Sequence, residues 1–285
     1  MINFVPFKTS NFEWNSNFSY STNTNKLKSL SNDIYKLSTD YLQIGYTGPP
    51  VQTFTHLLRV GGPVGDFYGF KVIGIGSDQT DAANYGQWIY EGANGEAVKY
   101  SDFGHAFGDK KVIGNGLPKF YLGWNNTFRY KNFDLFITQR GAFKFQIANE
   151  QRMIYENPTY TQYNLLKSAF NKVYGQALLK STPEFNSYYI ENGDYWKIDN
   201  VTLGYNFTKT GIKFIQSARI YASSLNTFII TKYKGLDPEV SMRNGVVSAQ
   251  SGIQVIPTKG LDPGIDSRDK YPTTRTFTFG LNITF

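Results

Sequence analysis

Strict alternation of apolar and polar side chains is the feature that most limits the folds open to this chain. From Phe12, one face reads Phe12, Trp14, Ser16, Phe18 and Tyr20, and the other reads Glu13, Asn15, Asn17, Ser19 and Ser21. A period of two is that of a β-strand with one greasy face and one wet face. Residues 118–145 repeat the pattern as a hairpin. Phe120, Leu122, Trp124, Phe128 and Tyr130 share a face, and after Lys131-Asn132 so do Phe133, Leu135, Ile137, Phe143 and Phe145. A two-residue turn at Lys131-Asn132 sets Tyr130 opposite Phe133 and Phe128 opposite Leu135. The same register sets Arg129 opposite Asp134 on the other side, an opposite-charge cross-strand pair. Val201, Leu203, Tyr205 and Phe207 alternate with Thr202, Gly204 and Asn206, and Ile220 with Ala222 forms a weaker face. The chain closes on Phe277, Phe279, Leu281, Ile283 and Phe285, alternating with Thr276, Thr278, Gly280, Asn282 and Thr284.

A soluble β-sandwich also alternates. Two features favour a membrane barrel instead. The alternating runs are about ten residues or longer, the length of a membrane crossing. Their polar faces are almost free of Val, Ile and Leu, as a wet lumen requires. Aromatic residues make up 17% of the chain while the mean hydropathy is −0.38, the balance expected when one face of each strand meets lipid and the other water. No stretch approaches the ~18 to 20 apolar residues of a membrane helix. Cysteine is absent, which excludes disulfides, thiolate metal sites and a cysteine nucleophile. His56 and His105 are too few for a histidine metal site, and Gly74-Ile75-Gly76 lacks the last glycine of a dinucleotide fingerprint. No catalytic constellation or cofactor site emerges, so the chain reads as no enzyme. The net charge is +7, but Lys and Arg are scattered without a run of five, which points to solvated loops and away from nucleic acid.

Nine strands are expected, near 2–8, 11–23, 53–60, 64–75, 118–130, 132–145, 190–207, 216–229 and 272–285, paired in sequence order in one curved antiparallel sheet. Short connections near Lys8-Thr9-Ser10, Gly61-Gly62-Pro63, Lys131-Asn132 and Lys209–Gln216 alternate with long ones near 25–52, 76–117, 146–189 and 230–272. Outer-membrane barrels have this asymmetry, with short periplasmic turns and long external loops. An odd strand count suits a portion of a larger barrel. The start, Met1-Ile2-Asn3-Phe4-Val5-Pro6, lacks the basic and apolar regions of a signal peptide, so an exported protein would begin upstream. Tyr160–Lys180 fits a short helix with Leu165, Leu166, Phe170, Val173 and Tyr174 on one face, used for loop packing. Trp14, Trp124 and Trp196 read as lipid-facing or girdle residues. Trp88, Tyr90 and Tyr233 fall in external loops, where such rings either stack on sugars or pack loops together.

The specific signals come as an ordered series. Val60-Gly61-Gly62-Pro63-Val64-Gly65-Asp66-Phe67-Tyr68-Gly69-Phe70-Lys71 is followed by Ile113-Gly114-Asn115-Gly116-Leu117-Pro118-Lys119-Phe120-Tyr121-Leu122-Gly123, with Asn126-Thr127-Phe128 and Phe133-Asp134-Leu135 behind it. Then come Tyr189-Ile190-Glu191-Asn192-Gly193-Asp194-Tyr195-Trp196-Lys197-Ile198-Asp199-Asn200-Val201, Leu225-Asn226-Thr227-Phe228, Thr231-Lys232-Tyr233-Lys234-Gly235-Leu236-Asp237-Pro238-Glu239, Tyr271-Pro272 and Arg275-Thr276-Phe277. Together they resemble the SusC/RagA-like TonB-linked outer-membrane transporters over essentially the whole chain. The sequence departs from that family at Glu91-Gly92-Ala93-Asn94-Gly95-Glu96 and Asp109-Lys110, where an acidic Asp-x-Asn-Gly-Asp-Gly-like stretch and an Asp-Arg pair are common.

The resemblance implies that residues 1–285 are the C-terminal part of a barrel of about 22 strands, with the plug and the N-terminal strands outside this chain. It implies location in the cell outer membrane, insertion by the barrel-assembly machinery, and import of oligosaccharides or peptides. A SusD-like surface lipoprotein would capture cargo, and TonB would pull on the plug. Phe277, Phe279, Leu281, Ile283 and Phe285 resemble the C-terminal insertion signal of such proteins. With its first-strand partner outside the chain, the last strand should lie at a bare edge or close onto residues 2–8. Two other readings fit the residues: an outer-membrane adhesive or structural barrel, and a soluble β-rich carbohydrate-binding module.

Overall fold

The computed structural model describes residues 1–34, 36–208, 211, 214–240, 260–268 and 271–285. Seven long strands form one sheet: β1 (Ile2–Lys8), β2 (Phe12–Thr22), β3 (Phe120–Tyr130), β4 (Phe133–Phe143), β5 (Tyr195–Phe207), β6 (Ser217–Thr231) and β7 (Thr276–Thr284). They lie in chain order and every neighbouring pair is antiparallel. β2 and β3 pair residue for residue although 23–119 leave the sheet between them. β1 and β7 are its two edges, and no described strand pairs with their outer sides.

The hairpin register is the one the sequence dictates, with Phe128 opposite Leu135, Arg129 opposite Asp134 and Tyr130 opposite Phe133. Lys131 turns the chain at φ 50°, the left-handed conformation that a two-residue hairpin turn needs. The alternating residues then meet across strands as ring pairs. Trp14 stacks on Phe128 at 5.5 Å, Phe120 on Phe143 at 5.1 Å, and Phe133 meets Tyr205 edge-on at 4.7 Å.

Polar atoms on the apolar face are matched to indoles. Trp14 Nε1 donates to Asn126 Oδ1 at 2.9 Å, Trp124 Nε1 to Ser16 Oγ at 2.8 Å, and Trp196 Nε1 to Gln139 Oε1 at 3.1 Å. Ser16 and Asn126 are each only 3% exposed beneath these rings. A donor or acceptor left alone in an apolar medium costs several kcal/mol, so each Trp and its partner hide one another's polar atom.

β5 explains why its alternation reads clearly only from Val201 onward. The register shifts between Ile198 and Asn200, a bulge at Asp199. One extra residue restores the face, so Trp196 and Ile198 join Val201, Leu203 and Tyr205 on one side.

Several expectations need correction. Residues 53–60 and 64–75 are not in the main sheet, which therefore has seven strands and not nine. Phe54–Arg59 pairs with Tyr41–Tyr46 and Asp66–Gly69, which continues to Lys111–Asn115. Val72–Ile75 pairs with Trp88–Glu91, and that with Ala97–Lys99. These strands are three to six residues long, against the ~9 to 11 of a membrane crossing. Thr55, His56, Leu57 and Leu58 are buried in succession, so both faces of that strand are covered by protein. A third small sheet joins Gln146–Asn149 to Ile190–Asn192 and, through a two-residue parallel ladder, to Ile265–Asp266.

Phe145 does not continue the apolar row of β4. Lys144 takes φ 59°, which breaks the alternation and swings Phe145 to the opposite side, where it is buried with Ala142, Ile147, Tyr195 and Tyr233. Tyr160–Lys180 forms a single turn of 3-10 helix at Lys167–Phe170 and no α-helix. Ala169, Val173, Ala177 and Leu179 turn inward while Phe170 and Tyr174 stay exposed. The turn expected at Lys209–Gln216 falls partly outside the described residues.

Arg129 and Asp134 sit opposite in register, yet the ion pair of Asp134 is with Arg219, at 2.5 Å, and Arg129 leans to Glu13 at 3.9 Å. Gly204, directly between β4 and β6, is the cause. A Cβ there would stand 2.4 Å from the Arg219 guanidinium, so the missing side chain is the channel through which Arg219 reaches Asp134. Gly204→Ala should therefore cost about 1–2 kcal/mol, the value of a partly buried charged hydrogen bond. Combined with Asp134→Asn it should add almost nothing further, because both changes delete one interaction. Urea unfolding of the single and double variants measures this, and strict additivity would refute it.

Candidate functional site

The polar face of the main sheet is graded along the strands. Its middle is a belt of amides and hydroxyls, with Thr202 Oγ1 2.8 Å from both Ser223 Oγ and Asn200 Oδ1, and Asn200 Nδ2 donating to Ser223 at 3.2 Å. Asn17, Asn125 and Thr138 continue the belt across β2, β3 and β4 by register. Charge gathers at both ends. At the short-turn end are Glu13, Arg129, Asp134 and Arg219, and Asn206 Nδ2 donates to Asp134 at 2.7 Å.

The long-loop end carries a second group. Arg140 on β4 meets Asp199 at 2.5 Å, and it also pairs with Glu239, which the loop after β6 brings in. Lys197 on β5 pairs with Glu239 and lies 3.7 Å from Asp199. The Tyr195 hydroxyl donates to Glu239 at 3.1 Å and accepts from Arg140 at 3.3 Å. Next to this group lies a cavity of about 310 Å³, lined by Tyr121, Arg140, Phe145, Tyr195, Glu239 and Pro263 among others.

Above it the small sheets enclose an apolar core that includes Phe67, Phe70, Trp88, Tyr90, Met153 and Phe185. Arg152, from the one-and-a-half-turn helix Glu150–Tyr155, pairs with Glu156 and Glu191 and lies 5.3 Å over the Tyr188 ring. It ties that helix to the Ile190–Asn192 strand. Glu184 gathers three donors: Tyr90 Oη at 2.8 Å, Asn186 Nδ2 at 3.2 Å and His105 Nδ1 at 3.2 Å. That hydrogen bond to Glu184 raises the His105 pKa above its usual value. His56 lies between Thr55 Oγ1 at 2.8 Å and the Pro263 carbonyl at 2.9 Å, and burial pushes its pKa down to about 4.

The loop aromatics singled out from the sequence are inside this assembly. Trp88, Tyr90 and Tyr233 are 1%, 0% and 6% exposed. Tyr90 stacks on Phe103 at 4.1 Å, Trp88 packs on Tyr188 at 5.0 Å, and the Tyr233 hydroxyl donates to Asp266 at 2.7 Å. Their rings pack loops together and present no free face to a ligand. Phe277, Phe279, Leu281 and Ile283 stand in one exposed row on edge strand β7, with exposed Phe285 just beyond its end.

The sequence runs that contain Lys197, Asp199 and Glu239 mark them for no site role, and Arg140 lies in no such run. One signal was available: Lys-Gly-Leu-Asp-Pro occurs twice, at 234–238 and 259–263. Asp237 and Asp262 are both buried, and Pro238 and Pro263 both line the cavity.

No family model matches the chain. Among curated proteins it is 29% identical to TonB-dependent receptor P3 of Formosa agariphila over 96% of this chain and 27% of that protein. It is 27% identical to TonB-dependent receptor SusC of Bacteroides thetaiotaomicron over 100% of this chain and 26% of that one. A solved structure of the RagAB peptide transporter matches 99% of this chain and 28% of its own, with a TM-score of 0.74 at 17% identity. The chain is similar over nearly its whole length to TonB-dependent receptors that include SusC. It spans about a quarter of the length of the curated relatives it matches. The curated relatives are named as TonB-dependent receptors, and this chain shares its fold with part of a chain in the RagAB peptide transporter.

The His56 environment sets a pH dependence in this loop assembly. The folded pKa lies below the unfolded value of about 6.5, so the contribution is complete above pH 6.5 and is lost as pH falls toward 4. A shift of this size corresponds to roughly 3 kcal/mol. Amide exchange in Phe54–Arg59, corrected for intrinsic rates, should accelerate between pH 7 and pH 4.5, and His56→Gln should flatten that dependence. Equal protection at both pH values in the unsubstituted protein would contradict the assignment.

Proposed function

We propose that the chain is the C-terminal part of a TonB-dependent transporter in the cell outer membrane, importing oligosaccharides or peptides together with a SusD-like surface lipoprotein. One observation carries this reading. A seven-stranded sheet with one apolar and one polar face, roofed at one end by a folded loop assembly, aligns over its whole length with SusC and with RagAB. On this reading the apolar face meets lipid and the polar face lines the lumen. The turns at Thr9–Asn11 and Lys131-Asn132 face the periplasm, and the loop assembly faces outside. Edges β1 and β7 would pair with strands outside this chain, since only closure satisfies their backbone groups in lipid. The amide and hydroxyl belt suits a hydrated lumen and cargo rich in hydroxyls or peptide groups. TonB acts through the plug, which this chain does not include on this reading.

The test is uptake. Cells carrying the full-length protein should accumulate a labelled oligosaccharide or peptide cargo. Loss of TonB should abolish accumulation while surface binding persists, and the lipoprotein should co-purify. Accumulation that continues at full rate without TonB would defeat the transport reading, and surface binding without any accumulation would favour an adhesive barrel.

The exposed row Phe277, Phe279, Leu281, Ile283 and Phe285 serves, in this proposal, as the signal by which the barrel-assembly machinery recognises the protein. Phe285→Asp in the full-length protein should sharply lower the amount of folded, heat-modifiable barrel in the outer membrane. Wild-type amounts of that species would rule the role out.

A further inference from the structure

Charge and origin separate the members of the Arg140 group. Arg140, Lys197 and Asp199 belong to the sheet, whereas Glu239 arrives from the loop after β6. The wall alone therefore holds two cations against one carboxylate, and Glu239 supplies the missing negative charge. Glu239 is aimed at the wall by a local turn: its amide donates to Asp237 Oδ1 at 2.9 Å across Pro238.

Arg140 is built to be reached. Its side chain is 48% exposed, while that of Lys197 is 5% exposed. Its cross-strand partner on β3 is Gly123, so no side chain blocks the guanidinium from the centre of the sheet. The cavity of about 310 Å³ opens beside it, with the half-exposed Tyr121 ring on its wall. That volume, at the low end for ligand pockets, holds about one sugar ring or one amino-acid residue. Arg140 keeps Asp199 on Nε, while Glu239 takes one terminal nitrogen and is itself shared with Lys197.

We infer that this cavity is a carboxylate-binding subsite for cargo, occupied in this structure by the chain's own Glu239. A cargo carboxylate replaces Glu239 on the terminal nitrogen of Arg140, and Glu239 remains with Lys197, so no buried cation is stranded. Arginine suits this task because its planar donors match a carboxylate. The carboxylate sits on a chain of hydroxyls or amides, which the neighbouring belt accepts. A peptide C-terminus and a uronic-acid unit of an oligosaccharide share that chemistry. Glu239 then acts as an internal competitor that sets how tightly cargo is held.

This inference rests on the transport reading, and its test is arranged so that the two fail separately. The full-length transporter in detergent is titrated calorimetrically with penta-alanine carrying a free or an amidated C-terminus, and with trigalacturonate or trigalactose. Glu239→Gln should tighten binding of one carboxylate probe roughly tenfold and leave its amidated or neutral counterpart unchanged. Whichever carboxylate probe responds identifies the source. Arg140→Gln should erase the preference for the carboxylate. Heat-modifiable migration verifies folding, and Glu239→Asp, a shorter carboxylate, gives a smaller tightening where Glu239→Gln does not fold. The subsite is overturned if charged and capped probes bind alike, if neither Glu239 substitution tightens binding, or if no probe binds. TonB-dependent uptake that persists in that case leaves the transport reading standing. The expected affinity pattern without any uptake leaves the subsite standing and removes the transport reading.

Discussion

Everything in the main sheet follows from a strand having to satisfy two surroundings at once, with a period of two. Such a pattern leaves no slack, because a slip of one residue turns the whole apolar set to the wrong side. The indole pairs show how tightly the rule is kept. Ser16, Asn126 and Gln139 are polar residues within the apolar faces of β2, β3 and β4, and each accepts from a neighbouring Trp. Their polarity is thus consumed within the sheet. The same atoms fix lateral position, since two of these bonds cross between β2 and β3 and the third between β4 and β5. Ring packing supplies area, and the indole hydrogen bonds supply register.

The β3–β4 hairpin was legible in the sequence because three requirements agreed: ring pairing, the turn at Lys131-Asn132 and the opposite charges of Arg129 and Asp134. The last was correct in register and wrong in partner. A glycine in the next strand is invisible to a two-strand argument, and Gly204 is what redirects Asp134 to Arg219. Residues 53–75 were misplaced for a different reason. Short strands buried on both faces and long strands with one apolar face are both rich in apolar residues, and length alone distinguishes them. Phe54–Arg59 has six residues where β2, β3 and β4 have eleven each. Phe145 was lost to one backbone dihedral, at Lys144, which alternation does not encode.

The candidate site was less legible than the fold. Arg140, Lys197 and Glu239 meet through tertiary structure; Lys197 and Glu239 stand in separate family-like runs and Arg140 in none, so no local pattern brings the three together. The loop aromatics attracted attention because Trp and Tyr are frequent ligand stackers, yet an assembly of short strands needs large rings to build a core of its own. Trp88 and Tyr90 fill that need, in contact with Tyr188, Tyr189 and Phe103. Exposure in the folded chain, and not residue type, separates Tyr121 from Tyr90 as a ring open to solvent.

The loop assembly and the polar wall are joined by charge, and the manner of joining differs from how each is held internally. Inside the assembly, Arg152 is nearly enclosed between Glu156 and Glu191, and removing the arginine would strand two nearly buried carboxylates. At the wall, Arg140 remains half exposed and shares its carboxylates. An ion pair open to water contributes little net stability and exchanges partners readily. The first arrangement keeps a small folded unit intact, and the second adds an exchangeable contact beside the buried Ala142, Phe145, Ile147, Tyr195 and Tyr233 cluster that packs the unit on the wall. Glu239 stands at this boundary, with Lys197 buried on one side and the exposed Arg140 on the other. Its hold on Arg140 is therefore the contact in the group that can be released at least cost while every buried charge keeps a partner.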